Sequence, residues 1–208
     1  SCPSEVIKLD LETAAAKLQA KHENRVRISS FSGSGIETTF TQGEDQCLKS
    51  TVAELPTLEA GKENLIVLGT VSDIVEDQFR RLFDELRIAD VHFYPGRKAG
   101  DMPPIGPGTS LIAAQPFVGE TARALIARGA ALIEAPFPPA AVGRKFWFEA
   151  IAAAYGPPDY LVQHLLELPY QRAKRAVSSP RSMPEGTRTH FLPDSQLAIP
   201  MARFLSEV

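Results

Sequence analysis

Two cysteines, one tryptophan and four histidines among 208 residues leave little material for the commonest chemical sites. Cys2 and Cys47 are too few for a disulfide framework, and the chain is too long for a small secreted scaffold, so a reducing compartment is expected. His22, His92, His164 and His190 are dispersed and form neither an H-x-x-x-H nor an H-E-x-x-H pattern, which leaves a zinc site or hydrolytic triad without support. Positive charge is also scarce: 22 Lys and Arg stand against 25 Asp and Glu, a net charge of −3. Such a balance supplies no basic field for phosphate neutralisation, so nucleic acid is excluded as the main partner. No apolar run approaches the ~20 residues of a membrane span, and the chain does not open on a charged start with an apolar signal core. Nucleotide fingerprints are missing too. Ser32-Gly33-Ser34-Gly35 lacks the spacing and Lys of a P-loop and reads as a tight turn, and Gly69-Thr70-Val71-Ser72-Asp73 has a single Gly.

What is present describes a folded protein. Hydrophobic residues make up 44% of the chain and charged residues 23%, which is ordinary for globular proteins and excludes disorder as the main state. Helical apolar spacing over residues 5–20 predicts a helix, and the alternation of Arg25-Val26-Arg27-Ile28-Ser29 predicts a short strand. Thr41-Gln42-Gly43-Glu44 has the form of a capping box opening a helix to about Leu55. From Leu65 the rhythm changes to strands at 65–68, 91–94, 111–114 and 131–135, alternating with helices at 75–86, 120–128 and 144–155. The continuous apolar run Leu65-Ile66-Val67-Leu68 marks a strand buried on both faces of a parallel sheet. A helix over 162–177, a Ser/Pro linker at 178–186, a strand at 189–192 and a helix at 195–207 complete the reading.

The expected fold class is therefore α/β, built of Rossmann-like three-layer units with parallel sheets, one complete and two partial. Residues 1–60 read as the end of a first unit, 61–160 as a complete second, 161–188 as a connecting helix and linker, and 189–208 as the start of a third. With Ser1 first and no Met before Met102, the span reads as an interior piece of a longer protein.

Few residues could carry chemistry. Pro is favoured in a first helical turn, so Cys2-Pro3-Ser4-Glu5 would place Cys2 at a helix N-cap, where the dipole and free N–H groups favour the thiolate. A thiolate there could bind iron or attack as a nucleophile; an inert buried cysteine is the alternative. A cubane iron–sulfur cluster usually takes four protein ligands, so Cys2 could be only one of them. Cys47, inside a predicted helix with nothing to activate it, reads as structural. The acid pairs Glu44-Asp45 and Glu76-Asp77 sit in predicted first helical turns, where capping accounts for them. Phe146, Trp147 and Phe148 read as core or subunit contact rather than a cofactor site.

Several segments together resemble one family. They are the stretch from Ser1-Cys2-Pro3-Ser4-Glu5-Val6-Ile7 to Leu11, the stretch from Ser32-Gly33-Ser34-Gly35-Ile36-Glu37-Thr38-Thr39-Phe40 to Asp45, Val75-Glu76-Asp77-Gln78, Ala114-Gln115-Pro116-Phe117, Ala135-Pro136-Phe137-Pro138 and Pro193-Asp194-Ser195-Gln196-Leu197. In order and from end to end, they resemble the N subunits of light-independent (dark-operative) protochlorophyllide reductases, relatives of the nitrogenase molybdenum–iron protein. The resemblance implies an N2B2 heterotetramer with a B subunit, a 4Fe-4S cluster shared between N and B, and a dimeric L protein that hydrolyses ATP-Mg and delivers electrons. It also implies reduction of the C17–C18 double bond of protochlorophyllide to chlorophyllide a, in the cytoplasm or in the stroma of a plastid. Cys2 maps onto one cluster ligand; two further cysteines of the family lie upstream of this span, and an acid of the B subunit is the fourth ligand. No catalytic residue of the family maps here, and the span alone is expected to be inactive. Two other readings stay open: a related nitrogenase-like subunit, from chlorophyllide reductase or a cofactor-assembly scaffold, and a metal-free α/β ligand-binding module.

Overall fold

Leu65, Ile66, Val67 and Leu68 leave no solvent-facing side on their strand, and the fold is arranged around that fact. The computed structural model describes residues 7–22, 25–26, 28–30, 40–98, 100–177, 188, 190 and 198–207. Among them the helices are α1 (Leu11–Lys21), α2 (Phe40–Thr51), α3 (Asp73–Glu85), α4 (Gly119–Ala127), α5 (Ala140–Tyr155), α6 (Asp159–Val177) and α7 (Ala198–Glu207). The strands are β1 (Asn64–Leu68), β2 (Val91–Tyr94), β3 (Thr109–Ala113) and β4 (Ala131–Leu132), and a 3-10 turn at Val52–Glu54 follows α2. All strand pairs are parallel, in the order β2-β1-β3-β4, with Leu65 beside Val91 and Ser110.

Since successive side chains of a strand point to opposite faces, β1 feeds two cores. Leu65 and Val67 pack with Phe93 and Ile112 under α3, α5 and α6, where Phe79, Phe83, Trp147, Phe148 and Leu166 are buried. Ile66 and Leu68 pack with Tyr94 and Leu111 under α2 and α4, represented by Leu48 and Leu125. The result is a three-layer α/β unit with a doubly wound parallel sheet, as the sequence predicts. The aromatic cluster is tightly interleaved: Trp147 lies edge-on to Phe148 at 5.0 Å between centroids, and Phe79 lies 5.1 Å from Trp147. The Trp147 indole N–H donates to the Ala113 carbonyl at 2.8 Å, so the ring's polar atom is satisfied in the core. Gly156 ends α5 in a left-handed conformation at φ 65° and donates to Ala152 at 2.8 Å; residues with a Cβ pay a steric penalty there.

Some expectations fail for identifiable reasons. The helix expected from residue 5 begins at Leu11, because Asp10 is its N-cap: the Asp10 carboxylate accepts from the Thr13 N–H at 2.9 Å and the Thr13 hydroxyl at 2.6 Å. Ile7 and Lys8 form a turn, with Lys8 at φ 50°. Residues 25–26 and 28–29 form no strand; instead, the Gln19 side chain takes the hydrogen bonds a neighbouring strand would have taken, donating to the Val26 carbonyl and accepting from the Ile28 N–H. Thr41 is not an N-cap, since α2 already includes Phe40. The fourth strand stops at Leu132, with both of its residues exposed at the sheet edge. Of the strand expected at 189–192, only His190 is described, and it is not in a strand.

Neighbouring aromatics on α5 have opposite environments: Phe148 is fully buried, whereas Phe146 is 49% exposed. Phe148→Ala is expected to cost about 3–5 kcal/mol in urea unfolding and Phe146→Ala less than about 0.5 kcal/mol. Equal losses would contradict the assignment of Phe148 to the core.

Candidate functional site

The segment that carries the most distinctive sequence runs into α2, and α2 is fixed to α4 by an exchange of caps. Helix α4 is preceded by Val118, which has no side-chain oxygen to cap it. Its N-terminus is capped instead by Asp45 of α2, 75 and 76 residues away: the carboxylate accepts from the Glu120 N–H at 2.8 Å and the Thr121 N–H at 2.9 Å. The Thr121 hydroxyl completes the joint, 2.6 Å from Asp45 Oδ1 and 2.9 Å from the Asp45 carbonyl. Both Asp45 and Thr121 are buried. At the other end Arg128, the C-cap of α4, donates to the carbonyls of Val52 and Leu55 at 2.7 and 2.8 Å, where the chain leaves α2. Each charge lies at the helix end whose dipole it complements. Asp45 thus caps a distant helix rather than its own first turn, which corrects the sequence expectation for the Glu44-Asp45 pair.

Tyr94, the last residue of β2, joins the sheet to α2. Its hydroxyl donates to the Leu48 carbonyl at 2.7 Å and lies 2.6 Å from the Thr51 hydroxyl. Burial pushes the Tyr94 phenol above its ordinary value near 10.0, against the opposing hydrogen bond from Thr51.

Open parallel sheets bind ligands outside the carboxyl ends of the strands, at the point where the connection reverses direction. Here that point lies between β1 and β3, and it is filled from within. The Gln115 amide donates to the Thr70 carbonyl and accepts from the Thr70 N–H, both at 2.8 Å. Gly69 permits this approach. At φ 132° it adopts backbone that L side chains rarely take, and a Cβ there would lie 2.9 Å from Gln115 Oε1. The Gln115 amide thus takes the Thr70 N–H that an incoming phosphate would use, in keeping with the missing nucleotide fingerprint. Beside it, the buried Glu76 carboxylate is held by Arg80 at 2.7 Å and Arg97 at 2.9 Å, and Arg97 also binds Asp77 at 2.6 Å. This pair of acids anchors the loop after β2 to the first turn of α3, a task beyond the capping expected of it.

Cys2, the sequence-predicted ligand, lies outside the described residues, as does Ser32-Gly33-Ser34-Gly35. What is described shows that Asp10, not Cys2, caps the Leu11–Lys21 helix. Cys47 is exposed on α2 rather than packed as a core residue. His92 lies 3.0 Å from Asp90, and His164 is exposed on α6. Among the described residues no group of three His, Cys, Asp or Glu side chains is placed to hold a metal ion. They therefore do not of themselves make a cluster site. No described helix is long and apolar enough to cross a membrane.

Comparison with known proteins decides the family. The model for "Nitrogenase component 1 type Oxidoreductase" matches residues 1–208. The chain belongs to this family. It is 55% identical over 207 residues to the light-independent protochlorophyllide reductase subunit N of Halorhodospira halophila, covering 100% of this chain and 49% of the relative. It is 53% identical over 206 residues to subunit N of Rubrivivax gelatinosus, covering 99% and 48%. The chain spans about half the length of these curated relatives of the nitrogenase component 1 family. A solved structure, "Nitrogenase Cp1 at pH 6.5", aligns with a TM-score of 0.57 and 15% identity over 76% of this chain and 41% of its own, a likeness of fold.

Within this nitrogenase-like fold the exchanged caps make two predictions. Asp45→Asn puts an NH2 group against N–H donors and is expected to cost about 1–3 kcal/mol in urea unfolding; an unchanged midpoint would contradict the capping role. A raised phenol pKa adds stability that is intact below pH 10 and is lost as pH rises through the raised value. Unfolding midpoints should therefore fall above pH 10, and Tyr94→Phe should remove part of that fall. Tyr155, whose phenol burial also raises, and Lys145, raised by its hydrogen bond to Glu167, contribute to the remainder.

Proposed function

We propose that this chain is part of the N subunit of a light-independent protochlorophyllide reductase. The observation that carries the reading is the 55% identity to a subunit N along the whole of this chain, which is not confined to one motif. In this reading the subunit pairs with a B subunit in an N2B2 assembly, receives electrons from an L-protein dimer that hydrolyses ATP-Mg, and serves reduction of the protochlorophyllide C17–C18 double bond in the cytoplasm or plastid stroma. Cys2 is the residue of this chain that would ligate a 4Fe-4S cluster shared with the B subunit. Such a cluster supplies one-electron chemistry when bound.

The contribution of the described residues is mechanical. Electron transfer depends on a fixed separation of donor and acceptor, and a protein fixes it by ligation, packing and exclusion of water. Asp45, Thr121 and Arg128 tie α2 to α4, and Tyr94 ties it to the sheet, so the stretch from Ser32 to Phe40 leads into a helix bonded on two sides. The Gln115–Thr70 joint keeps the crevice of the central unit for structure and leaves redox chemistry to the segments around it.

The test is Cys2→Ala in the full-length subunit purified anaerobically with its partner. Iron and acid-labile sulfide are expected to be lost while the subunits still copurify. Undiminished iron and sulfide would refute Cys2 as a ligand and favour a metal-free binding module.

A further inference from the structure

On the face of the sheet away from α2, a cavity of about 110 Å³ lies between α3, α5 and α6. Its floor is apolar: Phe79, Phe148 and Leu166 are buried, and Leu82 and Leu165 pack against the same core. Its rim carries three cations, Arg81, Arg144 and Lys145, together with Gln78 and Tyr170.

The cations are not equally committed. Lys145 lies 3.1 Å from Glu167 and 4.0 Å from Glu149, and its ammonium sits 4.7 Å from the centroid of the Tyr170 ring. Arg81 has longer contacts, 3.5 Å to Glu85 and 3.3 Å to Gln78. Arg144 makes no ion pair or side-chain hydrogen bond among the described residues, although it is only partly exposed and borders an apolar hollow. A guanidinium left over at the mouth of an apolar cavity presents a fixed fork of donors with no acceptor, which suits a planar carboxylate.

Size narrows the occupant further. Drug-sized ligands and cofactors need about 300–1,000 Å³, whereas a cavity of about 150 Å³ takes a benzene ring, so this smaller one suits a tail of about four or five carbons. We propose that the cavity binds a small apolar monocarboxylate, with its tail among Phe79, Leu82, Phe148 and Leu166 and its carboxylate on Arg144. This proposal does not rest on the function proposed above.

The probe is 4-methylpentanoate, compared with its neutral counterpart 4-methylpentan-1-ol. Binding to the full-length subunit in its complex is followed by saturation-transfer NMR, which suits weak ligands of large assemblies. The acid is expected to bind in the millimolar range and the alcohol about ten-fold more weakly, since a charge-assisted contact is worth about 1.4 kcal/mol or more. Arg144→Gln should weaken the acid by the same factor and leave the alcohol unchanged. Leu82→Trp, which fills the cavity, should abolish binding of both. The proposal is overturned if the acid does not bind at about 10 mM, if acid and alcohol bind equally, if Arg144→Gln leaves the acid's affinity intact, or if Leu82→Trp leaves binding in place. Circular dichroism of both variants distinguishes lost binding from lost folding.

Discussion

Two helices exchange their caps, and the second face of the sheet depends on that exchange. Helix α4 begins after Val118 and has no local side-chain cap; the 3-10 turn after α2 leaves the Leu55 carbonyl for a side chain to satisfy, the Val52 carbonyl already accepting from the Leu55 N–H. Asp45 answers the first need and Arg128 the second, so each helix end is satisfied by the other helix. Unmet, these groups would be buried polar atoms costing about 1–3 kcal/mol each. Met, they clamp α2 beside α4 over Ile66 and Leu68, in a core that Ile105 and Val118 also enter.

The rest of the architecture follows from a strand that tolerates no exposed face. Leu65 and Val67 require the aromatic layer of Phe79, Phe83, Trp147 and Phe148, while Ile66 and Leu68 require α2 and α4. By contrast, α1 has no buried residue, and Leu18 is 47% exposed on it. That helix is fixed to the chain by its own N-cap and by Gln19, and it adds nothing to either core. The division separates the two packed cores from a helix that lies outside both.

Much of this was legible in the residues. The run Leu65–Leu68 declares a two-sided strand, and the helix–strand alternation from there to Tyr155 declares a parallel sheet; both are present. Residues 25–29 alternate like a strand yet form none, because alternation needs a neighbour and Gln19 supplies one side chain instead of a backbone. The start of α1 is hidden because apolar spacing continues upstream of the real signal, Asp10 with Thr13 three residues on. The joint between Asp45 and Thr121 left one trace, a helix opening on Val118 with nothing to cap it; the partner 75 residues away could not be read from spacing. Gln115 likewise looked like part of a family signature, and only the fold shows it bonded to Thr70. The candidate ligand Cys2 is different in kind. A ligand set drawn from several segments or chains has no local pattern, so its evidence is the resemblance of the whole chain.

The family match over the whole chain places it among the nitrogenase component 1 type oxidoreductases, and the activity proposed for it is reduction of protochlorophyllide. The most direct measurement is pigment turnover by the full-length subunit, assembled with the proposed B and L partners under anaerobic conditions with ATP and a reductant, and offered protochlorophyllide and chlorophyllide in separate reactions. The account predicts ATP-dependent conversion of protochlorophyllide to chlorophyllide a and no turnover of chlorophyllide. Consumption of chlorophyllide alone would contradict it.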